Sequence, residues 1–388
     1  MKTSDILLHY GEDYTQLPNS FSDPIIQSSN FEFSSVSEMH EALQNEKSIP
    51  VYSRGNNPTV RLLEHKIAAL ENAEEALAFA SGIAAISAAI LNSVHQGSHI
   101  VAIRESYSWA RAFFDEYLPK FGVSTTLVEG SSIDEIESAI TPMTKLIYVE
   151  SPSSWFFNIQ DLKAIAKIAK NKGIRTICDN SFSSPLGQRP TDYGIDLVLH
   201  SASKYLGGHS DIVGGILCGS KELIADIFKK EYMNIGAIMA PQTAWLISRG
   251  LRTLQIRLNR VSQSRETVQN FLEKHTMIEK VIHPFHSDHP GQDIAKKQMS
   301  MGNGLFSVFL KTKDEAQIEK FCNNLKSFSL AVSWGGHESL IFPALVLGVK
   351  SENASLPINM VRLYVGLDQP EILIEDLSQA LDSAFALS

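Results

Sequence analysis

Short apolar segments alternate with amphipathic segments of helical periodicity through much of this chain, and this alternation restricts its fold more than any other feature. Apolar segments separated by helices predict parallel strands buried on both faces, and hence an α/β fold with a mostly parallel central sheet. In such sheets, ligands bind at the carboxyl ends of the strands. The predicted strands comprise residues 99–103, 123–128, 145–150, 174–178, 195–199 and 212–218, and one helix is predicted for residues 109–121.

The chain divides into three predicted parts. Residues 1–57 are rich in Ser, Asn and Pro and lack regular periodicity, so we expect an extended arm that is either disordered or ordered on a neighbouring subunit. Residues 58–249 are the main, cofactor-binding domain, and Thr59 is expected to cap its first helix. Residues 250–388 are a smaller C-terminal α/β domain, with strands expected at 304–310, 330–333 and 360–365.

Composition and charge narrow the classes of function. With 34 Lys and Arg against 43 Asp and Glu, the 388-residue chain has a net charge of −9 and no basic cluster, which argues against nucleic acids and anionic membranes as partners. No apolar segment reaches membrane-spanning length, and the N-terminus lacks the pattern of a signal peptide. Cys178, Cys218 and Cys322 are scattered and form no CxxC pair, so we expect a reducing, cytoplasmic setting.

One lysine, Lys204, lies just past a predicted strand, in the sequence His-Ser-Ala-Ser-Lys-Tyr-Leu-Gly-Gly-His. Small hydroxyl residues precede it and a glycine pair follows it. A lysine at the end of a strand, beside groups that can hold an anion, indicates a Schiff-base lysine with a phosphate nearby. An exposed lysine in a glycine turn has the same local pattern, so the other residues that the cofactor would need must decide between the two.

Pyridoxal phosphate (PLP) needs, besides the lysine, a carboxylate at its pyridine nitrogen, a phosphate site and a ring that stacks on it. Asp179 and Tyr107 lie just past predicted strands. Gly82 and Ile83 open a predicted helix, whose free N–H groups favour a phosphate. Taken singly, each candidate is equally well explained as a helix cap or an ordinary buried side chain. The candidates are Asp179 for the carboxylate, Gly82, Ile83, Ser201 and Ser203 for the phosphate, and Tyr107 for the ring.

Several longer motifs occur in one order along the chain: Tyr52-Ser53-Arg54 with Asn57-Pro58-Thr59, residues 179–190, 200–211 and 248–254, and Ser333-Trp334-Gly335-Gly336 with its continuation to residue 340. In these motifs the chain resembles the Cys/Met-metabolism (trans-sulfuration) family of PLP-dependent enzymes. This family includes cystathionine β- and γ-lyases, cystathionine γ-synthases, methionine γ-lyases and homoserine-ester sulfhydrylases. The resemblance covers nearly the whole length and implies fold type I, the aspartate-aminotransferase-like fold, and a homotetramer of two catalytic dimers.

The resemblance also implies roles for individual residues. Lys204 would bind PLP covalently and later move protons as the free amine, and Ser333 would hold that amine in place. Tyr52 and Arg54 would reach from the arm into a neighbouring subunit's site, where Arg54 would contact the phosphate. Arg362 would bind the substrate α-carboxylate. The candidates named above keep their cofactor roles, and Tyr52 and Tyr107 join Lys204 as catalytic residues.

Two departures from the family pattern favour β-elimination and one favours γ-chemistry. Ser154 replaces an asparagine that contacts a cofactor oxygen in γ-lyases, and Trp334 resembles the β-lyase branch. Val332 resembles methionine γ-lyases. Val332, Ser333, Trp334 and Arg362 are the residues expected to bind the substrate. We expect β-elimination of L-cystathionine to homocysteine, pyruvate and ammonia, with γ-elimination or γ-replacement as the alternative.

Three other interpretations are weaker. His283, His286 and His289 are spaced three apart, but the prolines beside them would break a helix that aligned them, so no metal site is predicted. A nicotinamide dehydrogenase would suit the alternating pattern, yet no Gly-x-Gly-x-x-Gly follows the first strand. A non-catalytic relative would be expected to lack one of the cofactor residues.

Overall fold

The larger of the two sheets contains the strands that the alternation predicted. The computed structural model describes residues 1–11, 21–347 and 356–385. Its strands are β1 (Glu75–Phe79), β2 (His99–Ile103), β3 (Ser124–Val128), β4 (Thr144–Glu150), β5 (Arg175–Asp179), β6 (Leu197–Ser201) and β7 (Gly215–Gly219). Within the described residues these seven strands pair in the order β1-β7-β6-β5-β4-β2-β3.

Parallel pairing dominates this sheet, and both of its faces are buried. β2 pairs in parallel with β3 and β4, and β5 with β4 and β6, whereas β7 runs antiparallel between β1 and β6. Successive residues of β1 enter two different apolar clusters, Ala76 and Ala78 on one face and Leu77 and Phe79 on the other. The predicted α/β class with a mostly parallel central sheet is confirmed.

Helices connect the parallel strands and cover both faces, as parallel pairing requires. The helices are α1 (Thr3–His9), α2 (Val36–Gln44), α3 (Pro58–Glu71), α4 (Gly82–Ser93), α5 (Ser108–Ala112), α6 (Ile133–Ser138), α7 (Leu162–Lys172), α8 (Ser184–Gly187), α9 (Lys221–Ile227), α10 (Met233–Ile235), α11 (Pro241–Leu251), α12 (Leu254–Lys274), α13 (Gln292–Gln298), α14 (Glu315–Asn323) and α15 (Pro370–Phe385). Short 3₁₀ or π segments occupy Phe113–Tyr117, Leu118–Phe121, Pro190–Tyr193, Phe228–Tyr232 and Ala344–Leu347. None of the helices in these described stretches is long and apolar enough to cross a membrane.

The C-terminal third contains a second, smaller sheet. Its strands are β8 (Ile278–Ile282), β9 (Leu305–Leu310), β10 (Phe328–Leu330), β11 (Ser339–Pro343) and β12 (Met360–Tyr364). They pair in the order β10-β11-β12-β9-β8, and only β10 and β11 are parallel among the described strands. The central strand β12 carries Arg362, which is buried. The predicted smaller α/β unit is therefore present, and its central strand supplies a candidate site residue.

Two local predictions differ from the structure, and one strand was missed. The strand expected at 330–333 ends at Leu330, because Ala331, Val332 and Ser333 leave the sheet and turn towards the larger sheet. β1 was missed, since its short Glu-Ala-Leu-Ala-Phe sequence lacks the β-branched residues that mark strands. The helix expected over 109–121 consists instead of α5, a π segment and a 3₁₀ turn.

The N-cap of α3 was also predicted two residues too late. Asn57 rather than Thr59 is the N-cap, since its side chain accepts the Thr59 N–H at 3.0 Å. Pro58 occupies the first helical position, where its missing N–H would have no helical partner. The Thr59 hydroxyl instead donates to the Pro24 carbonyl at 3.0 Å, which attaches the arm to the main domain.

The N-terminal region contains two helices, and its parts differ in burial. α1 packs on α3 of the same chain and buries Ile6 and Leu7. From residue 21 onwards the arm exposes large apolar side chains, among them Val36 at 87% and Met39 at 46% on α2. Residues 12–20 of the predicted arm, like residues 348–355 and 386–388 of the predicted C-terminal domain, lie outside the described residues. The domain boundaries at 57 and 249 stay predictions.

Candidate active site

The carboxyl edge of the larger sheet collects the titratable groups of the candidate site. Asp179 ends β5, Glu150 ends β4, and Lys204 follows β6 within three residues. Glu150 and Asp179 are register partners on adjacent parallel strands, so their side chains leave the same face of the sheet. Tyr107 caps α5 after β2, and its backbone N–H donates to Glu150 at 2.7 Å. The sheet topology thus brings these four residues to one edge.

Lys204 contacts the C-terminal domain through its amine. Its Nζ donates to the Ser333 hydroxyl at 2.7 Å and lies 5.5 Å from the centroid of the Trp334 ring. Burial, and then the positive charge of Arg362, lower the pKa of Lys204 to about 8, although Asp179 opposes this shift. A substantial neutral fraction near neutral pH suits an amine that must act as a nucleophile or base.

Asp179 is buried and hydrogen-bonded within its own turn. Its Oδ1 accepts the Ser181 N–H at 2.9 Å. Burial raises the pKa of Asp179, while the hydrogen bonds of Ser181 and the nearby Lys204 act in the opposite direction. A buried carboxylate gains most from a cationic partner, so a protonated pyridine nitrogen fits this position.

Glu150 is a site residue that the sequence reasoning missed. It is buried, and it accepts the Tyr107 N–H together with the Ser154 hydroxyl, the latter at 2.5 Å. Burial, and then the charge of Asp179, raise the pKa of Glu150 to about 8. Its signal was present in the sequence, because a carboxylate ends the predicted strand 145–150 at the ligand-binding edge.

The start of α4 and the loop after β6 form a cradle suited to phosphate. The N–H groups of Gly82 and Ile83 open α4 and have no partner within the helix. A Cβ at Gly82 would lie 3.2 Å from the Cβ of Ser201, so glycine permits a close approach there. The Ser203 hydroxyl accepts the Gly214 N–H at 3.0 Å, which fixes its direction in the same loop. N–H groups and hydroxyls are the donors that a phosphate requires.

Arg362 on β12 is held by two backbone carbonyls. Its guanidinium donates to Ser154 O at 3.1 Å and to Val332 O at 3.0 Å, and lies over the Trp155 ring, 4.9 Å from the centroid. Burial lowers the pKa of Arg362 to about 10, against the attraction of Glu150 and Glu105, so the group stays charged at neutral pH. A buried arginine facing the lysine is suited to a carboxylate ligand.

The remaining predicted residues lie at the mouth of the site or away from it. The Val332 side chain is 72% exposed, whereas Trp334 is half-buried, with its ring 5.5 Å from that of Tyr205. Tyr52 pairs with Asn30, and Arg54 lies over the Tyr52 ring at 5.8 Å. In the described part of the chain, no hydrogen bond joins Tyr52 or Arg54 to Lys204.

The three histidines proposed and rejected as metal ligands bind different partners. His286 contacts Glu273 at 3.1 Å, and the His289 ring lies 3.3 Å from the Phe156 carbonyl. His283 is buried, and its Nδ1 accepts the Phe285 N–H at 3.2 Å.

The fold and this arrangement of side chains define a class of enzyme. The crystal structure of MetB from Corynebacterium glutamicum superposes with a TM-score of 0.92 at 32% identity, covering 99% of this chain and 98% of that one. Lys204, Asp179, Tyr107 and the cradle at Gly82 have the chemistry that a PLP site requires. The protein is a PLP-dependent enzyme of fold type I.

Sequence comparison places the chain within that class. The Cys/Met metabolism PLP-dependent enzyme family matches residues 4–382, and the chain belongs to this family. L-methionine gamma-lyase of Fusobacterium nucleatum is 39% identical over 367 residues, which are 92% of this chain and 93% of that protein. Cystathionine beta-lyase of Lactococcus lactis subsp. cremoris is 37% identical, over 97% of this chain and 98% of that protein. Cystathionine gamma-lyase of Bacillus subtilis is 34% identical, over 99% and 100% respectively.

Proposed function

We propose that the protein is a carbon–sulfur lyase that converts L-cystathionine and water to homocysteine, pyruvate and ammonia by β-elimination. The curated relatives include β- and γ-lyases at similar identity, so the choice rests on the site. The observation that carries it is Trp334, whose ring lies 5.5 Å from the Lys204 amine. A tryptophan after the serine resembles the β-lyase branch of the family.

The proposed roles follow from the surroundings of each residue. Bound PLP supplies the electron sink that stabilises negative charge at the substrate Cα. Arg362 binds the α-carboxylate, and Lys204, with a pKa of about 8, removes the Cα proton as the neutral amine. Asp179 would keep the pyridine nitrogen of bound PLP protonated, and the Tyr107 ring would stack on the cofactor. The Ser333 hydroxyl orients the Lys204 amine through its 2.7 Å hydrogen bond.

A second candidate is γ-elimination or γ-replacement, and Val332 favours it. An exposed valine next to Ser333 offers an apolar surface to a thioether and no charge to the amino group at the far end of cystathionine. The γ-reaction requires a second proton transfer, at Cβ, and the Lys204 amine is the group placed to perform it. The β- and γ-reactions would use the same cofactor contacts. They differ in the bond that breaks, which joins sulfur to Cβ in the first and to Cγ in the second.

The first experiment is to identify the 2-oxo acid that the purified holoenzyme releases from L-cystathionine. We expect pyruvate together with homocysteine, and no product from Lys204→Ala. 2-Oxobutyrate together with cysteine would instead establish the γ-reaction. If neither acid forms, L-methionine and homoserine esters are the next substrates, and the β-lyase proposal is wrong.

The exposed side chains of the N-terminal arm support the proposal of an active site shared between two subunits. We propose that Tyr52 and Arg54 complete the site of a second copy, with Arg54 at the phosphate, because their side chains are exposed in this chain. The apolar residues that α2 exposes would be buried in the same contact. We further propose a homotetramer of two such dimers, working in the cytoplasm, where its three buried cysteines would stay reduced.

A further inference from the structure

Glu105, a half-buried carboxylate that the proposed chemistry does not use, has an unusual number of hydrogen-bond donors. It lies in the turn after β2, two residues before Tyr107. Its Oε1 accepts the N–H groups of Trp155 and Phe156, the former at 2.7 Å. Its Oε2 accepts the Ser153 hydroxyl at 2.6 Å and the Asn158 amide at 3.1 Å. One side chain therefore fixes both ends of the loop 153–158.

This loop needs such support because its backbone is unfavourable. Phe157 has a φ of +57°, a left-handed conformation that costs free energy for a residue with a side chain. Glu105 bonds to the residues directly before and after Phe157, namely Phe156 and Asn158. The Phe157 side chain is itself buried, so the turn cannot relax without leaving the core.

The same loop forms one wall around Arg362. The Ser154 carbonyl accepts from Arg362 at 3.1 Å, and the Trp155 ring lies 4.9 Å from the guanidinium carbon. The Trp155 carbonyl accepts the Ser307 hydroxyl at 2.9 Å, which ties the loop to β9. A shift of residues 154 and 155 would therefore change the direction in which Arg362 presents its free N–H groups.

We infer that Glu105 is a positioning residue for substrate-carboxylate binding, acting on Arg362 through the loop 153–158. This inference rests on the proposed function in one respect, the role of Arg362 as the carboxylate ligand. Glu105 should therefore affect how tightly the substrate carboxylate binds, and it should not affect the attachment of the cofactor.

Because Glu105 can gain a proton near neutral pH, binding of the substrate carboxylate should depend on pH. Burial raises the pKa of Glu105 to about 7, while the bonds from Ser153, Phe156 and Trp155 hold it lower than burial alone would. The charged groups that act on this site are Glu129, Glu150 and Arg362, and His289 contacts the loop at Phe156. Below pH 7 the neutral carboxyl is a weaker acceptor for four donors, so carboxylate binding should weaken there.

The test compares two amines that differ only in the carboxylate. L-alanine and ethylamine are titrated into the holoenzyme, and binding is followed by the change in cofactor absorbance. Glu105→Gln should raise the dissociation constant of L-alanine about tenfold and leave that of ethylamine unchanged, because the amide has one acceptor oxygen for four donors. The matched control is Glu129→Gln, which removes a nearby exposed charge without touching the loop.

The titrations give each outcome a distinct meaning. Arg362→Gln should raise the dissociation constant of L-alanine. If it does not, the proposed role of Arg362 is wrong, independently of the result for Glu105→Gln. If Arg362→Gln raises it and Glu105→Gln does not, the inference is overturned. Equal weakening of both amines by Glu105→Gln would also overturn it, because that pattern indicates damage to the cofactor site.

Two further readouts protect the test against poor folding of Glu105→Gln. Ser153→Ala removes one of the four donors to Glu105, together with the acceptor of the Asn158 N–H. It should raise the dissociation constant of L-alanine in the same direction, by about threefold. In the unmodified enzyme, the ratio of the L-alanine to the ethylamine constant should rise as the pH falls through 7. A ratio that stays constant from pH 8 to pH 6 would contradict the proposed role.

Discussion

The surroundings of Lys204 determine when its amine can react. The amine is buried between Ser333, Trp334 and the positive charge of Arg362, and these surroundings lower its pKa to about 8. A surface lysine would be almost wholly charged at neutral pH, whereas this one is neutral in about a tenth of molecules at pH 7 and in about nine tenths at pH 9.

We therefore expect PLP to attach to the apoprotein at a rate that rises with pH, is half-maximal near pH 8 and levels off above about pH 9. Arg362→Gln should move this profile to higher pH, because it removes a positive charge that lowers the pKa of Lys204. Stopped-flow absorbance of apoprotein mixed with PLP measures the rate, and Lys204→Ala is the control that should attach none covalently. A rate still rising between pH 9.5 and 10.5 would contradict the low pKa.

Sequence reasoning could name the candidate site residues that belong to a recognisable cofactor pattern, and it missed Glu150 and Glu105, which belong to none. Lys204 and Asp179 follow apolar strands and belong to a demanding cofactor pattern, so both could be named in advance. Glu105 accepts backbone N–H groups and a hydroxyl from a loop about 50 residues further along the chain. Glu150 accepts the N–H of Tyr107, which lies on a different strand connection. These pairs depend on the folded path of the chain, which no local periodicity encodes.

At the scale of elements, the loop 331–338 joins β10 and β11 of the smaller sheet and contacts the larger sheet at the site. Its first residues contact Lys204 and Arg362, and Gly335 packs against the backbone of the Lys204 turn. A Cβ on Gly335 would lie 2.9 Å from Cα of Lys204, and its φ is +89°. Glu338 accepts the Ser210 hydroxyl at 2.5 Å and holds the far end of the same loop.

Gly335→Ala should displace this loop and lower both stability and turnover. The matched control is Gly173→Ala, since Gly173 also has a positive φ, +64°, but nothing lies within 4 Å of its Cβ position. We expect the control to lose about 1 kcal/mol of unfolding free energy and to keep its activity. Gly335→Ala should lose about 2 kcal/mol or more, because the backbone contact adds to the same conformational cost. Equal losses in the two variants, with full activity in both, would show that the contact relaxes freely.

Five strands of the larger sheet, β2 to β6, were predicted to within two residues at each end, because their apolar segments are buried. The strand predicted at 212–218 begins only at Gly215, and β1 was missed. β2 was located to the residue, and β4 and β5 to within one residue at each end. The segment 331–333 was misassigned because its apolar residues suit a strand, whereas contacts with Lys204 and Arg362 direct the backbone elsewhere. Tertiary contacts decided that segment, and they are not visible in a local pattern.

At the scale of the whole molecule, the arm is the part that the single chain does not explain. Large apolar side chains of α2 are exposed, and so are Tyr52 and Arg54, which contact each other through the Tyr52 ring. The resemblance to the family supplied the interpretation, because residues 21–57 have few buried side chains that could order them in one subunit. A second copy would bury these side chains.

Mixing two inactive variants tests the shared site. Arg54→Ala removes the arginine of the arm, and Lys204→Ala removes the lysine of the sheet edge. In a mixed dimer, one site combines the intact Lys204 of one subunit with the intact Arg54 of the other. Equimolar co-refolding should recover about a quarter of the native activity, because half of the dimers are mixed and each has one good site. As a control, Lys204→Ala mixed with Asp179→Ala should recover none, since both residues belong to the same chain's sheet edge. Failure of the first mixture to exceed its parents would contradict sharing.

The division of the site between two sheets has an evolutionary consequence. Lys204, Asp179, Tyr107 and the cradle at Gly82 belong to the larger sheet, whereas Arg362 and the loop after β10 belong to the smaller one. On the proposed roles, mutations in the second group can redirect substrate choice while the ancestral cofactor chemistry persists in the first. Lineages descended from one such ancestor can therefore diverge into lyases for different sulfur amino acids by drift and selection in a small part of the gene.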